Sequence, residues 1–162
     1  MEEEGLSKLL RSWWRRRKAV KVTQSAAPEE RVRTVPSVAA LALIGDAVFE
    51  LHVRVKAVEA GISRGRDLHG RTSARARAAA QAATLKALYP ELTPQEQDVA
   101  RRGRNAHTGR VPKGATSEEY HLATAFETLL GHLFLLGESD RLADLLEKAD
   151  AQADQSPTED ER

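Results

Sequence analysis

Two acids stand one helical turn apart in the otherwise apolar stretch LALIGDAVFELHVR, Leu41 to Arg54: Asp46, directly after Gly45, and Glu50. A third, Glu127, stands in ATAFETLLGHLFLLG, Ala123 to Gly137, four residues ahead of Gly131. An apolar helix has little use for a carboxylate unless it faces water, a partner cation or a metal. Two such helices, each with a glycine that admits a neighbouring backbone, can aim their acids at one ion. Magnesium prefers such oxygen ligands, keeps several waters, and needs only one or two carboxylates. The chemistry on offer is phosphodiester hydrolysis, where the ion relieves phosphate charge, activates water and stabilises the leaving oxygen. Asp46 and Glu127 lead on this pattern, with capped or solvent-facing acids as the alternative.

Placing that pair requires helices, and the sequence pattern is helical from Pro36 onward. Pro36 or Ser37 opens a helix to about Ala60, stopped by Gly61, with Val38, Leu41, Gly45, Val48, Phe49 and His52 on one packing face. An alanine-rich helix is predicted from Asp67 to Leu88, halted by Pro90. Thr93-Pro94-Gln95-Glu96 is a capping box with proline in the first turn, opening a helix that fades near Asn105. HTGRVPKGA, His107 to Ala115, reads as an exposed loop. Thr116 and Glu119 form a second box, opening a helix to Leu136 that Gly137 ends, and Ser139 starts a last helix to about Ala149. With no alternating strand pattern and no long repeat, the fold class is all-α.

At 162 residues the chain holds one domain. The expected organisation is a mobile basic N-terminal arm over 1–35, a catalytic domain over 36–149 and an acidic disordered tail over 150–162. Trp13 and Trp14 beside the four cations Arg15 to Lys18 could stack on nucleic-acid bases; a loosely docked helix is the other reading. The net charge of +1 hides segregation. Arg64, Arg66, Arg71, Arg75 and Arg77 oppose Asp67 alone, and Arg101, Arg102, Arg104, Arg110 and Lys113 meet no acid between them. Residues 138–162 hold nine acids against three bases. A basic centre points to a polyanion partner, against the plainer reading of a solvated face.

Other chemistries fit poorly. The absence of cysteine removes thiolate metal sites and disulfides and fits a reducing cytoplasm. The five histidines show no paired spacing, and there is no HExxH, no GxSxG and no phosphate loop. The longest apolar runs are far shorter than a membrane span, and Met1 leads into three glutamates rather than a signal sequence.

Four strings in unbroken order, LALIGDAVFELHVR, DLHGRTSARARAAAQA, RRGRNAHTGRVPKGA and YHLATAFETLLGHLFL, resemble Mini-ribonuclease III, the compact bacterial branch of the ribonuclease III family. The resemblance covers roughly Ser37 to Ala149. It implies an all-helical endonuclease domain working as a homodimer, with two active sites along one RNA-binding valley. It also implies magnesium-dependent cleavage of double-stranded RNA to 5′-phosphate and 3′-hydroxyl ends, the usual substrate being precursor 23S ribosomal RNA.

Matched by motif, GDAVFE puts the catalytic, metal-binding aspartate at Asp46, and AFETLLG puts the second at Glu127. Longer relatives carry further acids where this chain has Ala42 and Thr124, which leaves the number of ions open. Glu50 reads better as helix-surface charge than as a ligand. Without an appended RNA-binding domain, RNA contact falls to Arg71, Arg75, Arg104, Asn105, Arg110 and Lys113. Such side chains suit A-form RNA, gripped through phosphates and 2′-hydroxyls. The expected protein is therefore a cytoplasmic endoribonuclease of ribosomal RNA maturation, with pre-ribosomal particles as further partners. A non-catalytic RNA binder and a helical protein-interaction module are the rival classes.

Overall fold

A computed structural model describes residues 36–62, 64–106 and 109–155, with Ser12; the N-terminal arm and residues 156–162 otherwise lie outside the described residues. Six α-helices lie along residues 36–155, among the described residues: α1 Val38–Glu59, α2 Gly65–Arg75, α3 Ala78–Leu88, α4 Pro94–Asn105, α5 Ser117–Leu136 and α6 Ser139–Gln155. A short 3₁₀ turn, Tyr89–Glu91, joins α3 to α4. There is no strand among the described residues, and none of their helices is long and apolar enough to cross a membrane.

The helix ends obey their local chemistry. Ser37 caps α1, its hydroxyl accepting from the Ala40 N–H at 3.1 Å. Thr93 and Glu96 form the expected capping box on α4, as do Thr116 and Glu119 on α5. Gly137, at φ 77°, ends α5 in a left-handed turn that returns the Gly137 and Glu138 N–H groups to the Phe134 and Leu133 carbonyls.

Helix α5 is the axis. Its Phe126, Leu129, Leu130 and Leu133 are buried against Val48, Phe49 and Val53 of α1, Leu85 and Leu88 of α3, and Leu142, Leu145 and Leu146 of α6. Phe49 and Phe126 meet edge to face, with ring centroids 5.3 Å apart. The α1–α5 crossing is set by glycines. A Cβ on Gly45 would lie 1.7 Å from the Glu127 carbonyl oxygen, and one on Gly131 2.0 Å from that of Leu41. On the other side Gly103 of α4 packs on Ala125 and Thr128. The backbones therefore touch where the acids are carried.

Two expectations need correction. The helix predicted over Asp67–Leu88 is two helices, with Arg77 extended at φ −65°, ψ 144° as the N-cap of α3. No glycine or proline marks this break; the turn lets α2 lie on α1 while α3 packs on α5. The last helix also runs past Ala149 to Gln155. Asp150, assigned to the tail, is clamped by His52 at 2.9 Å, Arg75 at 2.8 Å and Lys56 at 3.8 Å. These ion pairs fasten the end of α6 to α1 and α2, supplying the anchoring that the acidic composition alone does not suggest.

Candidate active site

Asp46 follows Gly45, whose backbone packs on the Glu127 carbonyl, so this contact between α1 and α5 brings the two acids near enough to repel each other. Both side chains are half-buried. Burial pushes the Asp46 carboxyl above its ordinary range, the Glu50 charge adds to this, and Arg54 opposes it. Burial likewise pushes Glu127 up to about 8, followed by repulsion from Asp46 and Glu50, against a hydrogen bond from Gln81. Two carboxyls that destabilise each other's charge in a poorly hydrated cleft are what a divalent cation relieves.

The residues present fit such an ion. Asp46 and Glu127 offer hard oxygen donors, and the chain has no cysteine to compete with them. Among the described residues no group of three or more His, Cys, Asp and Glu side chains forms a metal cage. The donor set is a carboxylate pair, which matches an ion that keeps most of its water. Glu50 is close enough to raise both acids and is itself paired with Arg54 at 2.6 Å.

Beside Glu50, between α1 and α2, lies a pocket of about 250 Å³ with Arg54, His69 and Arg77 on its walls beside the Thr72 and Ser73 side chains. Cations at the edge of a carboxylate cleft suit an anionic chain passing across it.

The predicted RNA-contacting residues divide. Arg104 and Asn105 are exposed at the end of α4, and Arg110 and Lys113 are exposed in the loop before α5, where Gly114 turns at φ 88°. Arg104 also borders a groove of about 470 Å³ with Lys86, Tyr89 and Arg101. Arg71 lies within α2. Arg75 is tied into the fold: its guanidinium is half-buried, donating to Asp150 and to the Ala149 carbonyl. Its neighbour by sequence spacing could not reveal this, because the partner is 75 residues away.

Sequence reasoning missed Gln81, which is 1% exposed and whose side chain favours the charged form of Glu127. The available signal was a single amide in the alanine run of α3.

Comparison with known proteins bears on the whole arrangement. The family model described as the ribonuclease III domain matches residues 39–138. A protein named Mini-ribonuclease 3 from Symbiobacterium thermophilum is 48% identical over 109 residues, covering 67% of this chain and 84% of that one. Another of that name, from Gloeobacter violaceus, is 51% identical over 114 residues, covering 70% and 82%. A crystal structure of a protein from Fusobacterium nucleatum shares the fold, with a TM-score of 0.67, 24% identity, and coverage of 76% of this chain and 99% of that one.

Proposed function

The chain belongs to the ribonuclease III family, in its Mini-ribonuclease 3 branch, and we propose that it is a magnesium-dependent endoribonuclease that matures precursor 23S ribosomal RNA in the cytoplasm. The family supports double-stranded RNA as its substrate. The observation that carries the reading is the facing pair Asp46 and Glu127 at the glycine crossing, with Glu127 pushed up to about 8.

In this reading Asp46 and Glu127 hold the ion, and both must be ionised to do so. The ion supplies charge relief at the scissile phosphate and a more acidic water. Holding an ion would require Glu127 to give up its proton to solvent, so metal binding would be favoured by rising pH. The close backbone packing of α1 on α5 fixes the separation of the two acids before substrate binds. Arg71, Arg104, Asn105, Arg110 and Lys113 hold the duplex through phosphates and 2′-hydroxyls, while Arg75 acts indirectly by fixing α2 to α6.

The apolar outer face of α1 supports the homodimer. Leu43 is 73% exposed, and Ala47 and Leu51 continue the stripe at helical spacing on the side away from α5. Asp46 and Glu50 flank that stripe, so a second copy seated on it borders the cleft and extends the surface available to a duplex.

The test is incubation of the purified protein with precursor 23S RNA and with a perfect RNA duplex, in magnesium and in chelator. Cuts within double-stranded stems that leave 5′-phosphates and vanish with chelator are expected. Duplex binding without any magnesium-dependent cut would leave a non-catalytic binder instead.

A further inference from the structure

Gln81 is buried where the stability of the fold gives no reason for an amide. It projects from α3, among alanines and leucines, and is 1% exposed. Its Nε2 lies 3.5 Å from the Ala76 carbonyl, at the end of α2, and its side chain is near enough to Glu127 to favour that carboxyl's charged form. A carbonyl and an ionised carboxylate are both acceptors, so once Glu127 is ionised they fix the amide with its nitrogen towards them. The oxygen then faces elsewhere, and the buried Oε1 has no protein partner. A buried acceptor left unmatched costs roughly 1–3 kcal/mol. A leucine or methionine would fill the same space without that penalty, so the amide is explained by what it does rather than by packing.

The break at Ala76–Arg77 makes this placement possible. A continuous helix would keep the Ala76 carbonyl in the ladder and aim position 81 elsewhere on the α3 surface. With the turn, the Ala76 carbonyl and Glu127 converge on one amide. Gln81 thus links the end of the arginine-bearing α2 to a carboxyl of the cleft.

We infer that Gln81 is a positioning residue of the active site: its amide nitrogen orients the Glu127 carboxylate, and its amide oxygen accepts a hydrogen bond from a water molecule held in the same cleft. The inference rests on the carboxylate-pair reading above. Groups that orient a metal ligand typically change metal affinity or activity 10–100-fold when removed. A magnesium-type ion that keeps its water gives the buried oxygen a donor it otherwise lacks.

The experiment measures Mn²⁺ affinity by paramagnetic titration, without RNA, for the parent, Gln81→Met, Gln81→Ala and Asp46→Asn. Gln81→Met removes both hydrogen-bonding atoms at nearly constant volume. It should melt close to the parent yet bind Mn²⁺ about 10–100-fold more weakly. Its kcat on duplex RNA should fall while KM stays constant. Gln81→Ala, which leaves room for a water beside Glu127, should recover part of the Mn²⁺ affinity. Should Gln81→Met fail to fold, the alanine variant alone decides, a loss of Mn²⁺ affinity supporting the inference. Mn²⁺ affinity within twofold of the parent in every folded Gln81 variant overturns it. Asp46→Asn separates the two levels: if it binds Mn²⁺ as tightly as the parent, the carboxylate reading fails; if it loses Mn²⁺ while Gln81→Met keeps it, only the Gln81 inference fails.

Discussion

Gly45→Ala tests how the fold places its acids. The new Cβ would stand 1.7 Å from the Glu127 carbonyl oxygen, 2.6 Å from its carbon and 2.9 Å from the Gly131 nitrogen, all of them backbone atoms. Real Cβ contacts are not seen below 3.0 Å, so α1 and α5 must part locally by at least 1.3 Å, the gap between those two distances. No flexible side chain can yield instead. Overpacking of this kind costs about 1–3 kcal/mol, and more where two main chains are forced apart. The same shift carries Asp46, the next residue, away from Glu127. Misplacement of a reacting group by about 1 Å costs on the order of 100-fold in rate. Urea unfolding and single-turnover cleavage of duplex RNA, at a temperature where both proteins are folded, measure the two effects. Gly70→Ala is the control, since a Cβ there meets nothing within 4 Å and lies inside α2. It should gain about 0.5–1 kcal/mol and keep its activity. A folded Gly45→Ala protein that cleaves within threefold of the parent would refute the argument that the glycine crossing sets the carboxylate geometry.

Three further outcomes follow from named groups. Glu127 holds a proton in the folded state up to about 8, which the unfolded chain releases near 4.5, so in chelator the stability should fall as pH rises through that window. Glu127→Gln should flatten the dependence and melt higher than the parent at the alkaline end, as thermal melts across the range will show. Asp150 is the opposite case: despite burial, His52, Arg75 and Lys56 hold its carboxyl below the usual range. Its contribution is therefore present above 3.8 and lost as pH falls through the lower folded value. Asp150→Ala leaves the half-buried Arg75 unpaired and should cost about 3 kcal/mol in urea unfolding at neutral pH. Lys113→Ala and Arg110→Ala remove exposed cations from the loop before α5. Each should weaken duplex binding regardless of sequence and reduce the salt slope of log K by about 1.

The parts of this molecule that were readable in the sequence are those governed by near neighbours. Thr93 with Glu96, Thr116 with Glu119, and Gly137 announce helix ends through contacts within a few residues, and each end lies where its capping chemistry puts it. Asp46 and Glu127 were conspicuous because acids are rare in apolar helices, and Gly45 and Gly131 because both stand beside them. What escaped was decided by contacts between distant segments. The turn at Ala76–Arg77 contains no helix breaker and arises from packing α2 and α3 on different helices. Asp150 looked like part of a solvated acidic tail until His52 and Arg75, from α1 and α2, closed on it. Gln81 was hidden for the same reason, since nothing in an alanine run says which residue faces Glu127.

The central claim is that Asp46 and Glu127 act as one unit on one ion, and a double-mutant cycle on the cleavage step tests it most directly. Single-turnover rates on a duplex RNA at saturating magnesium are compared for the parent, Asp46→Asn, Glu127→Gln and the double variant, with duplex binding measured in chelator. The account predicts that each single change lowers the rate by about 1,000-fold or more, that the double variant is little worse than either, and that binding is unchanged. Independent, multiplying losses, or a single variant that still cleaves at the parental rate, would contradict it.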